Sequence, residues 1–492
     1  MTTKISTELL IVILNNVQST QDLYSSLLVN RIWCKVTIPI LWELPFGQEY
    51  CTDYKLEKQA LSIRTYISCM DTQARNLLIQ NGFDLSSSPP QATFDYPSFI
   101  HKFIINNFFY LISIYSRKII GPYSDDNGSR ILFREMYRLI IERCIFLDSF
   151  KIVMGFPDYF FLKYSDLIVS ILKLPGALKV LKNLESFTST IRYNEQFHPL
   201  YESLTLICNN ILNMDLELNT NSQVQLLVNL IGVQKRLENL SISAYHIYSL
   251  DCNSLLWEII GQKETLKRLH LYSVSFNQFE CKSSPIGQFI SLQELCIVNC
   301  NGLDKSDSLF FASAFTQLSS FHCFYSSHTN NWYPQKFIIK ILETANTNLK
   351  NICLDLNSVI TLDIFSTILN YCTRITELTL YNLSSEQVIT IFNNNFNELR
   401  SFSFNCGKEF DANELLCQMA ENAPESLEII EIRMGRFTTD SLRKFVEGWC
   451  CKGRGGNKKI IVIRTEQARL FRLSDDHFKV IEKYGVQINI KE

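Results

Sequence analysis

Leu266-Lys267-Arg268-Leu269-His270-Leu271 sets apolar residues at the first, fourth and sixth of six positions, with variable residues between them. The last three positions alternate, which is the period of a strand with one buried face. Copies of this template start at Leu184, Ile211, Leu237, Leu266, Leu292, Leu318, Leu349, Ile375, Leu399 and Leu427, at intervals of 27, 26, 29, 26, 26, 31, 26, 24 and 28 residues. The first copy is degenerate, because Ser189 occupies its last apolar position. Nine intervals held this closely mark an internal repeat. Between copies, Ser366 to Tyr371, Ser385 to Asn393 and Asn413 to Asn422 carry apolar residues at helical spacing, so each unit joins a strand to a helix. No unit of this size buries its own apolar face, and neighbours must stack into one core. The expected fold is therefore α/β, a repeat array over residues 181–492. The strand-like runs Ile460 to Ile463 and Val486 to Ile490 would finish the array and cap its edge.

The strand signature and its interval resemble leucine-rich repeats, closest to the cysteine-containing and ribonuclease-inhibitor-like subclasses. The resemblance implies a solenoid with strands on a concave face and helices outside. It also implies that an Asn or Cys three places after the last apolar residue bonds to neighbouring backbone, a place taken by Asn219, Cys300 and Asn357. The variable strand positions would then line the concave face. Arg268, His270, Tyr272, His322, Phe324 and Tyr381 come from the fourth to the eighth copies, with Arg433 beyond them. Aromatic and arginine side chains anchor protein interfaces, so these six are the candidate substrate-binding residues.

The N-terminal 46 residues read differently. Leu9, Leu10, Ile13, Leu14 and Val17 form one apolar helical stripe behind a cap at Ser6 or Thr7. A second short helix follows with Leu23 and Leu27 inward. A third starts near Val29-Asn30, turns Ile32, Trp33 and Val36 inward, and should close before Pro39. Three such helices bury little by themselves and need a partner surface. Glu8-Leu9-Leu10, Asp22-Leu23, Val29-Asn30-Arg31-Ile32-Trp33 and Leu41-Trp42 resemble the F-box pattern in order and spacing, across residues 5–42. The family's Leu-Pro is Ile5-Ser6 here, and its commoner Cys is Asn30. The resemblance implies that Ile5, Leu9, Leu10, Leu27, Val29, Arg31 and Trp33 bind a Skp-type adaptor protein, and through it cullin and RING subunits. The chain would then be the substrate-recognition subunit of a ubiquitin ligase, with an unknown protein as substrate.

Residues 47–180 read as a mostly helical connector, with Phe99 to Arg117 and Arg130 to Asp148 as helices. Ser86 to Pro90 and Gly121 to Ser129 are its loops. Among 492 residues, 46% are hydrophobic and 20% charged, the composition of a folding chain. With 47 basic and 49 acidic residues the net charge is −2, which argues against a nucleic-acid or anionic-membrane footprint. Sixteen cysteines include no Cys-x-x-Cys pair, and seven histidines show no His-x-x-x-His spacing, so no metal or other cofactor is expected. No targeting or membrane-spanning stretch is expected either, which points to the cytoplasm or nucleus. Lys452 to Lys459 lacks the spacing of a phosphate-binding loop and reads as a solvated turn. No nucleophile, base and orienting group come together in the sequence, so the expected protein is not an enzyme. A repeat scaffold unrelated to ubiquitin transfer is the competing reading.

Overall fold

All ten copies of the repeat become strands, and each strand starts two residues after the copy's first apolar residue. The computed structural model describes residues 5–47, 60–86, 91–121, 126–153, 165–170, 174–190, 197–244, 253–275, 289–304, 315–326, 333–356, 358, 360–394, 396–405, 412–433, 437–452, 459–464, 475–484 and 486–491. It divides into two units, Met1–Leu237 and Glu238–Glu492.

The first unit begins with three helices, α1 (Thr7–Asn15), α2 (Thr20–Leu27) and α3 (Arg31–Leu41). Side chains cap each start: Ser6 Oγ accepts from Leu9 N–H, Ser19 Oγ from Asp22 N–H, and Asn30 Oδ1 from Ile32 and Trp33 N–H. Contrary to expectation, α3 does not stop before Pro39. It runs through to Leu41, because a proline two residues from the end removes one N–H from the last turn only. Ile32 also differs from its expected inward position and is exposed.

Four parallel strands follow in this unit: β1 (Lys102–Ile104), β2 (Ser149–Val153), β3 (Ser186–Thr190) and β4 (Asn213–Glu217). The expected boundary at residue 181 is thus too late, since β1 and β2 lie inside the stretch read as a helical connector. Ile100-His101-Lys102-Phe103-Ile104-Ile105 and Leu147-Asp148-Ser149-Phe150-Lys151-Ile152 both fit the template. The intervals of 47 and 37 residues that follow them hid them among the shorter ones. Phe103, Phe150 and Phe187 stack down the buried face at 6.3 Å per step. Where the degenerate copy puts Ser189 into the core, the Tyr201 hydroxyl bonds it at 2.7 Å. The expected helices are displaced to Ile105–Ile120 and Asp126–Arg143, the second taking Asp126 to Ser129 from the expected loop. Residues 87–90 and 122–125 of the two expected loops lie outside the described residues.

A clasp recurs between neighbouring strands. The Ser319 carbonyl accepts N–H bonds from both Lys350 and Asn351, and the Lys350 carbonyl from Thr376 and Glu377. The Glu43 carbonyl does the same for His101 and Lys102, each at 3.1 Å. Residues 42–47, directly after α3, therefore act as a rung ahead of β1. Lys102 Nζ pairs with the Glu43 carboxylate, and Phe46, fully buried, meets Phe103 edge-on at 5.8 Å. Trp42 lies 4.4 Å from Tyr96 and 5.5 Å from Tyr66.

Ten parallel strands build the second unit: β5 (Asn239–Ser243), β6 (Arg268–Tyr272), β7 (Glu294–Val298), β8 (Ser320–Phe324), β9 (Asn351–Asp355), β10 (Glu377–Leu380), β11 (Ser401–Asn405), β12 (Ile429–Arg433), β13 (Ile460–Arg464) and β14 (Gln487–Lys491). From β5 to β14 each strand pairs with the next, in register. That register sets Leu269, Leu295, Phe321 and Ile352 side by side, all fully buried. Helices cover this face, as where Phe392 of Ser385–Asn393 meets Phe402 at 5.5 Å. Cys300 Sγ donates to the Leu271 carbonyl at 3.4 Å, as the repeat resemblance implies, while Asn357 lies outside the described residues.

Helices Ala412–Asn422 and Thr439–Lys452 approach closely at one point. A Cβ on Gly448 would stand 2.8 Å from both the Ala420 Cβ and its carbonyl oxygen. Replacing a mid-helix glycine by alanine usually adds about 1 kcal/mol of helix propensity. Gly448→Ala is expected to lower the midpoint of thermal unfolding instead, because the clash involves backbone. A raised midpoint would show that the helices separate freely here.

Candidate functional site

Two surfaces, one in each unit, hold the residues singled out from the sequence. In the first unit, Leu10 and Leu14 of α1 pack on Leu23, with Val17, Trp33, Val36, Ile40 and Leu41 around them. Leu10 and Trp33 were expected to touch a partner. Leu10 is buried and Trp33 half-buried inside the module, because three short helices have few other side chains from which to make a core. Leu27 is also half-buried, whereas Ile5, Leu9, Val29 and Arg31 are exposed. Half of the large apolar side chains exposed among the described residues fall between Ile5 and Ile32. Leu9, Val12 and Ile13 stand at i, i+3 and i+4 of α1, so they form a single stripe next to the buried one. Leu28 is 88% exposed at the end of α2, followed by Val29 and Ile32. A helix apolar nearly all round is ordinarily an enclosed one. Val12, Leu28 and Ile32 escaped the sequence reading, which followed the family's positions and placed Ile32 inward.

In the second unit the strand residues alternate between the buried face and a second face. The structure brings Arg268, His270 and Tyr272 together on β6, and His322 and Phe324 on β8. Tyr272, Val298 and Phe324 share one row across the strands. Tyr381, just after β10, donates its N–H to Leu354 at 3.1 Å and so follows the strand direction. Of these six residues only Arg268 is exposed and the rest are half-buried. They cover one another. Arg268 Nε donates to Asn239 Oδ1 at 2.5 Å, and His270 Nε2 lies 2.9 Å from Glu294 Oε1. His322 Nε2 lies 2.7 Å from Ser320 Oγ, and its ring stacks near Phe324. Arg433 donates from Nε to Glu431 at 2.6 Å and lays its guanidinium 4.7 Å from the centre of the Tyr381 ring.

Burial governs the protonation states on this face. It moves His322 below its ordinary value, outweighing the nearby Glu294 carboxylate, and keeps the imidazole neutral at pH 7. Burial likewise pushes the Tyr381 phenol up to about 12, the Cys296 thiol to about 11 and the Cys353 thiol to about 12. These thiols stay protonated, which leaves them poor nucleophiles. Among the described residues no group of His, Cys, Asp and Glu is arranged to hold a metal ion, and no helix is long and apolar enough to cross a membrane.

Most of the Lys452 to Lys459 turn lies outside the described residues. Lys459 itself is buried rather than solvated, its Nζ donating to the Trp449 carbonyl at 2.9 Å and sitting over the indole. No protein-family model matches the chain, and no curated protein does.

Proposed function

We propose that this chain is a non-catalytic substrate adaptor of a cullin–RING ubiquitin ligase. Its N-terminal module docks on a Skp-type protein, and the strand face of its leucine-rich-repeat array holds a protein substrate. The observation that carries this reading is the apolar surface of α1 to α3, which is too large and too concentrated to face water without a partner. The two departures from the F-box pattern fit the same reading, since Ser6 and Asn30 supply the caps that start α1 and α3. Cys69, Cys144, Cys208, Cys323 and Cys372 are free thiols, which suits the reducing cytoplasm or nucleus where such ligases work.

Docking is expected to run through Leu9 and Val12. Changing both to Ser should remove two exposed apolar contacts worth about 2 kcal/mol each at an anchor position. Titration of the full chain with a purified Skp-type protein should then show a loss of at least about tenfold in affinity, with an unchanged melting curve. Failure of the unsubstituted chain to bind would leave the repeat-scaffold reading in its place.

A further inference from the structure

Charge is unevenly spread over the strand face of the second unit. On β7 to β11 the positions of this face hold Glu294, Asp355 and Glu377, and neither Lys nor Arg. The nearest arginines start from the flanking strands: Arg268 on β6, bonded to Asn239, and Arg433 on β12, which is paired with Glu431 and reaches over the Tyr381 ring. Phe324 lies in register beside Asp355, and Tyr381 follows β10. A second observation is independent of charge. Ser403, between Thr379 and Glu431 in the central row of the same face, is 5% exposed, and its hydroxyl meets no hydrogen-bond partner among the described residues. A buried hydroxyl left alone is unfavourable, and a bound backbone can supply what it lacks.

We propose that the β7–β11 face binds an extended segment of the substrate protein carrying Lys or Arg residues four apart. The inference deepens the adaptor reading by giving the substrate's chemistry, and it rests on that reading for calling the partner a substrate. The spacing follows from the sheet. Glu294 and Glu377 both hold the first position of their strands, three strands apart. With neighbouring strands about 4.8 Å apart, that separation is about 14 Å. An extended segment crossing the strands covers it in about four residues, and an even number keeps both side chains on one side. Glu294 engages His270, and Glu377 accepts from Asn351 Nδ2 at 3.1 Å. A carboxylate offers about four acceptor sites, so each retains capacity for an ammonium or guanidinium. Ser320 and Asn351 lie between them in the same row, so no cation stands between the two carboxylates there.

The test uses the full chain and fluorescein-labelled Ser/Thr/Val peptides in three versions: two Lys four apart, two Lys adjacent, and two Glu four apart. Fluorescence anisotropy should show the strongest binding for Lys residues four apart, weakening as NaCl is raised. Glu294→Gln with Glu377→Gln should weaken that binding about tenfold. Glu414→Gln, on the helix Ala412–Asn422, should leave it unchanged. Equal binding of the Glu peptide, or no loss in the double variant with its melting curve intact, would overturn the proposal. A Skp-type titration on the same preparations separates the two ideas. Peptide binding without Skp binding overturns the adaptor reading alone, and the reverse result overturns the basic-segment proposal alone.

Discussion

Leu295→Asp is expected to abolish cooperative folding of the second unit, whereas Glu294→Ala, one residue away, leaves the melting curve nearly unchanged. Leu295 is fully buried between Leu269 and Phe321 in the row that runs through the core. A carboxylate there either stays ionised without a partner or takes up a proton, and both cost several kcal/mol, roughly 3–5 or more. Stability of a whole domain is only about 5–15 kcal/mol, so one such change is a large part of it. In a repeat array each strand stabilises only its neighbours, and a break at β7 removes support from both β6 and β8. Glu294 is half-exposed and loses only its contact with His270. Circular dichroism melts of the two variants give the answer. Similar midpoints would mean that the assignment of faces is inverted.

The second large effect is expected in the N-terminal module. Leu10→Ala with Leu14→Ala should unfold α1 to α3 while the strands persist. Both leucines are buried in the module's small core, and each truncation costs about 2–5 kcal/mol. A core of a handful of residues has no reserve against that loss. Limited proteolysis should cut the double variant within residues 7–41, while Leu9→Ser with Val12→Ser, which alters only the exposed stripe, should remain resistant there. Equal resistance of the two pairs would show that Leu10 and Leu14 do not hold the module together.

The sequence made the repeat legible because a strand with one buried face leaves a strict alternation, and ten copies at similar intervals reinforce one another. The same reliance on interval hid β1 and β2, whose template residues Ile100 and Leu147 are as good as the others. Two long helices after β1 and two short ones with their connections after β2 stretch the spacing without disturbing the ladder. In the module the apolar residues were legible, but their directions were not. Leu9 and Leu10 are adjacent and equally apolar, yet only Leu10 meets Leu23, a consequence of packing among three helices that periodicity in one helix does not fix. On the strand face, the contact that lays the Arg433 guanidinium of β12 over the Tyr381 ring depends on a side chain reaching across strands. Such reach has no one-dimensional signature.

The Glu43 clasp alters where the chain can be divided. An F-box-like segment read from sequence ends at residue 46, and a fragment cut there would carry nearly all of that rung and none of its neighbour. Phe46 would lose Phe103, Phe108 and Tyr66 together, and the Glu43 carbonyl would lose both of its donors. The three helices therefore do not behave as a bead on a string. Their last turn feeds straight into the hydrogen-bonded stack, so motion at α3 is transmitted to β1 rather than absorbed by a hinge between them. Whatever grips the module also holds the leading edge of the first unit's sheet.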